Sequence, residues 1–144
     1  MSHSASIDLH LARPLANVSS ALSSLKQAGW KADDGGEISY LPLGDDGDFD
    51  WRSAPLDEGS LVDTIVQSKE RAGELVGIVL TWEDSGVGGQ FLFNPDHRSV
   101  NVVLSNNRKL LDGCERFTDL SWYLSRILPA FVGCIESLTC EEAD

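Results

Sequence analysis

The run Asp46-Gly47-Asp48-Phe49-Asp50 places three carboxylates at alternate positions. Oxygen ligands at positions 1, 3 and 5 are how an EF-hand loop begins to enclose calcium, so hard-cation binding is the first chemistry to weigh. The match ends there. Position 6 of such a loop is a glycine that makes the sharp turn, and here it is Trp51; position 12 is a bidentate glutamate, and here it is Asp57. Nothing before Asp46 reads as the helix that should enter the loop. Two other readings stand: a solvated acidic loop, and an acidic surface that docks a basic partner.

Other motifs fail in similar ways. Gly86-Val87-Gly88-Gly89-Gln90-Phe91 opens like a dinucleotide fingerprint, but Phe91 replaces the third glycine and Phe91-Leu92-Phe93 continues as a strand. A hairpin turn is the better reading. Nucleophilic chemistry needs a thiolate beside a base, and Cys114 with His97 or His10 is the pair to consider. His3, His10, His97 and the cysteines lack metal-ligand spacing. Glu83-Asp84 is the carboxylate pair best placed for acid–base work, yet neighbours in a strand point to opposite faces unless the strand ends there. Turn-initiating acids are the simpler reading. No catalytic residue, metal or cofactor is assigned, and no enzymatic activity is expected.

Tryptophan adds a further signal. Trp82 closes an apolar strand, Trp122 falls in the last helical stretch, and Trp30 follows the first helix, so all three read as core or rim. Trp51 stands among acids. Aromatics amid charge are common anchors of binding interfaces. Alternatively, Phe49 and Trp51 turn inward from a short strand and pin the loop.

The elements that must position these residues follow from periodicity. Ile7, Leu9 and Leu11 alternate with Asp8 and His10, the pattern of a half-buried strand. Pro14 suits the first turn of a helix with the stripe Leu15, Val18, Leu22 and Leu25, stopped by Gly29. A strand over 37–43 sits inside turn-forming sequence. A second helix over 56–72 has the stripe Leu61, Val62, Ile65 and Val66, Ser53 or Asp57 as a cap, and Gly73 at its end. Strands over 75–82, 90–93 and 99–104 come next, then a polar loop or short helix over 106–117. A last helix starts at Thr118 or Asp119 and runs through Leu120, Leu124, Ile127, Leu128, Phe131, Ile135 and Leu138, kinked or split at Pro129, before a frayed acidic tail. The order β-α-β-α-β-β-β-α predicts one α+β domain over 1–144: a mostly antiparallel sheet of about five strands with helices packed on it.

Charge narrows the function classes. The 144-residue chain carries 23 Asp and Glu against 11 Lys and Arg, a net charge of −12. Phosphate backbones are bound by neutralising cations, which argues against nucleic acid and against an anionic membrane as partner. The window Lys31 to Glu58 holds nine acids and two bases, more than half of the net charge. The N-terminus has no basic and apolar signal pattern, and the longest apolar run spans only Val76 to Leu80. An odd count of three cysteines without a Cys-x-x-Cys pair reads as free thiols in a reducing compartment, so a cytoplasmic protein is expected.

The segments Asp33–Gly36 and Asp45–Trp51, with the strand end Leu80-Thr81-Trp82-Glu83-Asp84, give a chain that resembles the small acidic immunity proteins of bacterial polymorphic-toxin systems. The resemblance is one of size, charge and layout. It implies a cytoplasmic, non-enzymatic protein that occludes one cognate toxin, such as a nuclease with a basic active site. The candidate partner-binding residues are Asp45, Asp46, Asp48, Asp50, Trp51, Asp57 and Glu58. Two other classes compete: a secretion chaperone, which requires a large exposed apolar face, and a small-ligand or calcium-binding domain or enzyme, which requires converging carboxylates.

Overall fold

The computed structural model describes residues 3–45 and 47–143. It is an α+β fold built on one large antiparallel sheet. The strands are β1 (Ser4–Leu11), β2 (Trp30–Lys31), β3 (Glu37–Tyr40), β4 (Arg52–Pro55), β5 (Val76–Trp82), β6 (Gly88–Phe93), β7 (Ser99–Asn106) and β10 (Ile135–Ala143). Their order is β10-β1-β7-β6-β5-β3-β4, with β2 paired to the Trp82 end of β5. A separate hairpin joins β8 (Leu110–Leu111) to β9 (Cys114–Thr118). The helices are α1 (Val18–Ala28), α2 (Gly59–Arg71) and α3 (Leu120–Ile127).

The expected skeleton is present, but the sheet has eight strands rather than about five. The largest departure lies at the C-terminus. The helical stripe ends at Ile127; Leu128–Phe131 is a single 3-10 turn around Pro129, and Gly133 has φ 77°. The chain therefore reverses, and residues 135–143 pair antiparallel with β1 instead of continuing as helix and frayed tail. The polar stretch after Asn106 forms the β8–β9 hairpin rather than a helix.

Strand alternation sorts the two faces. Ile7 lies opposite Val102, Val102 opposite Phe91, and Phe91 opposite Ile78, which makes one buried row across four strands. The helices cover this face. Val18, Ala21, Leu22 and Leu25 of α1 are buried there, with Tyr123 and Ile127 of α3. Asn17 caps α1 by accepting the Ser20 amide at 2.7 Å, so the helix begins after Pro14 rather than at it. Leu61 is 49% exposed, and the buried stripe of α2 is Val62, Val66 and Lys69.

Trp30 is the hub of the aromatic end of the core. Its indole N–H donates to the Arg126 carbonyl at 3.0 Å, and its ring meets Trp82, Phe91 and Trp122 edge to face. The Arg126 guanidinium lies over Trp122 at 4.2 Å and Trp82 at 5.5 Å.

The opposite face is polar over β1 and β7, where Asn101 donates to Asp8, and Asn94, in the turn after β6, donates to Asn101, both at 2.7 Å. It is apolar around β5, where Val79 of β5, Leu92 of β6 and Leu41 just after β3 are buried. Among the described residues no helix is long and apolar enough to cross a membrane.

Candidate functional site

The acidic window folds as the loop between β3 and β4 and the turn that leads into α2. Asp45 is its inward-facing acid, only 7% exposed. Its carboxylate accepts the Asp50 amide at 3.0 Å and the Phe49 amide at 3.3 Å. This carboxylate shapes the loop and presents little charge to solvent. Asp48 and Asp50 are exposed, and Asp50 pairs with Arg52 at 2.9 Å. Asp57 and Glu58 are exposed in the 3-10 turn Leu56–Glu58. Asp46 lies outside the described residues. Among the described residues no three His, Cys, Asp or Glu side chains converge as a metal site.

Phe49 and Trp51 do different things. A Cβ on Gly77 would lie 2.6 Å from Leu41 Cδ1 and 3.1 Å from the Trp51 ring, so both side chains sit down on the bare backbone of β5. Trp51 pins the loop to the outer face of the sheet. Phe49 instead has φ 54°, a strained value for a bulky residue, and is 47% exposed. Asp45 holds that conformation through the Phe49 amide.

The base of the loop is clamped from below by Lys69, which is fully buried. Its ammonium donates to the Pro42 carbonyl at 2.7 Å and to Glu74 Oε1 at 2.9 Å. Glu74 Oε1 also accepts the Gly44 amide at 2.9 Å. The Lys69 hydrogen bond, with that amide, holds the Glu74 carboxyl below its ordinary value. Sequence reasoning missed this clamp, although Lys69 continues the helical spacing of Val62 and Val66.

A second carboxylate closes the far edge of the fold. Glu142 Oε2 accepts the Thr118 hydroxyl at 2.6 Å, the Thr118 amide at 2.7 Å, His3 Nε2 at 2.7 Å and Arg108 Nη1 at 3.2 Å. Burial pushes its pKa up, but the bonds from Thr118 and His3 outweigh it and the net shift is down. Both carboxylates titrate lower folded than unfolded. Their stabilisation is complete above the unfolded value, about 4.3, and is lost as pH falls through the folded values. The unfolding free energy is therefore expected to hold steady near neutrality and to fall below about pH 4. Urea titrations across pH check this, and Glu74→Gln should flatten the acid limb.

The remaining candidates separate. Asp33 and Asp34 are turn acids: Asp33 accepts the Gly36 amide at 2.8 Å, and Asp34 accepts Ser39 at 2.7 Å and Asn106 at 2.8 Å. Asp33 does meet Glu83 and Asp84 across a cleft of about 290 Å³ at the end of β5. Lys31 neutralises Asp84 at 2.8 Å, which holds the Asp84 carboxyl low. His97 faces Glu70 at 2.9 Å, while Cys114 is exposed on the β8–β9 hairpin. All three cysteines are free thiols.

No protein-family model matches the chain, and no curated protein or solved structure matches it.

Proposed function

We infer that the protein is a non-enzymatic binding module whose acidic loop docks a basic protein, in the manner of an immunity protein that occludes one cognate toxin. One observation carries the reading. Of the eight large apolar side chains that are exposed among the described residues, Leu43, Phe49, Leu56 and Leu61 fall within 43–61. That segment also carries six acids and one base. Apolar anchors interleaved with charge of one sign are what a docking surface for an oppositely charged protein needs: the anchors give affinity on desolvation, and the charges give steering and selectivity.

The contact residues in this reading are Asp48, Phe49, Asp50, Asp57 and Glu58, with Asp46 next to them in sequence. Asp45, Trp51 and Lys69 hold the surface in shape. Phe49 is the anchor in this reading, since it presents a large aromatic ring to solvent from a backbone conformation that glycine would fit better.

Phe49→Gly tests it with two readouts. Relief of the positive φ offsets the extra chain entropy of glycine, so thermal stability should stay level or rise by up to about 1 kcal/mol. Affinity for the partner captured from the source lysate should fall at least about tenfold. Unchanged affinity removes Phe49 from the interface. A large loss of stability makes it structural.

A further inference from the structure

The two edges of the sheet are built differently. The β4 edge is four residues long and carries Arg52 and Pro55, both devices that discourage a further strand. The β10 edge is nine residues long, Ile135–Ala143, and contains no Pro, Lys or Arg; its charges are the acids Glu136, Glu141 and Glu142, and its one irregularity lies at the Ile135 end. It ends the strand order, so no strand pairs its outer side among the described residues. The helical layer also stops short of it. Leu9 of β1 is fully buried, yet its cross-strand partner Leu138 is 39% exposed on the same face.

We propose that the outer edge of β10 accepts an extended segment of a partner as an additional antiparallel or parallel strand, and that this segment is basic. Main-chain hydrogen bonds supply the pairing, and alternate side chains supply selectivity. Leu138 offers an apolar contact for one alternate position, and the exposed Glu136 and Glu141 call for Lys or Arg at others. A second copy of this chain fits worse. Antiparallel pairing of two copies along this edge brings three acids from each strand, Glu136, Glu141 and Glu142, onto one seam, and like charges close together across a sheet destabilise it. Each copy also carries −12. The site lies at the edge opposite β4 and does not depend on the acidic-loop reading.

The probe is a fluorescein-labelled ten-residue peptide that alternates Lys with Val and Thr, with a counterpart in which Glu replaces each Lys. Binding is read by anisotropy, and the paired strand is located by amide hydrogen exchange. The wild type should bind the Lys peptide and gain protection in 135–143. The Thr139→Lys/Glu141→Lys variant, which changes two exposed side chains, should bind at least about tenfold more weakly, with its unfolding midpoint and circular dichroism unaltered. If that variant unfolds, Thr139→Lys alone serves in its place.

Four outcomes overturn the proposal. They are no binding up to the solubility limit of the peptide, equal binding of the Glu peptide, protection confined to the 43–61 loop, or protection of β10 by self-association of the chain without peptide. Protection in 43–61 would support the acidic-loop reading while removing this one, so the two are told apart.

Discussion

Lys69→Met is expected to lower the unfolding free energy by about 3 kcal/mol, the lower end for breaking a buried ion pair, because Glu74 keeps some access to water. Methionine preserves the stem volume, so the loss isolates the ammonium. Two groups lose their partner at once, the Pro42 carbonyl and the Glu74 carboxylate. The second of these also holds the Gly44 amide, so the loop should loosen as well as the fold. Urea unfolding gives the energy, and faster exchange at Gly44 reports the loop. Lys69→Met/Glu74→Leu should recover part of the loss, since removing both members of a buried pair costs less than removing one, while the Pro42 carbonyl and the Gly44 amide still lack their partners. A single variant that loses less than about 1 kcal/mol would show the surrounding packing to be sufficient without the charge.

Gly89→Ala is expected to cost about 3 kcal/mol or more, at or beyond the usual upper range for overpacking. The added methyl would stand 2.0 Å from the Val103 carbonyl oxygen and 2.9 Å from its carbon. Those are main-chain atoms of the neighbouring strand and cannot swing away. The β6–β7 register shifts between Gly88 and Gln90, so Gly89 sits in a bulge where the strands approach closely. Gly59→Ala is the matched control. Gly59 has φ −58° at the start of α2, and an added methyl would meet nothing within 4 Å. That variant should gain about 0.5–1 kcal/mol. If the two alanines have equal effects on the urea midpoint, the close approach at Gly89 is not what requires glycine there.

These two residues also mark how far the sequence could be read. The glycine run was legible as a hairpin because Gly86 and its neighbours interrupt two apolar runs. That Gly88 and Gly89 are needed for backbone approach was not, since only strand pairing brings Leu80 and Val103 against them. The first strand, over 6–11, and the three central strands were legible from alternation and apolar runs. The last strand was not: Ile135 and Leu138 stand at a helical spacing from Phe131, while pairing with β1 decides their conformation.

The acidic window was legible as a candidate site by charge alone. Charge could not sort its members. Asp45 and Asp48 are the same residue type three apart, yet one carboxylate is spent on two amides and the other faces solvent. Trp51 was poised between anchor and pin, and its ring rests on the bare backbone at Gly77 while staying partly exposed. Leu61 reads as core by spacing but is 49% exposed, because α2 turns Val62, Val66 and Lys69 inward instead.

The most direct test of that surface is association with the protein captured from the source lysate, measured at graded ionic strength for the wild type and for Asp48→Lys/Asp50→Lys/Asp57→Lys/Glu58→Lys. The four positions are exposed, and reversing them changes the net charge from −12 to −4. The wild type should associate at low salt at least about tenfold faster than the variant and lose that advantage as salt rises, because steering by complementary charge is screened. Both should fold, with a small loss of stability in the variant from the Asp50–Arg52 pair and the acids before α2. Equal association rates at every salt concentration, or no protein captured by the wild type at any, would contradict the account.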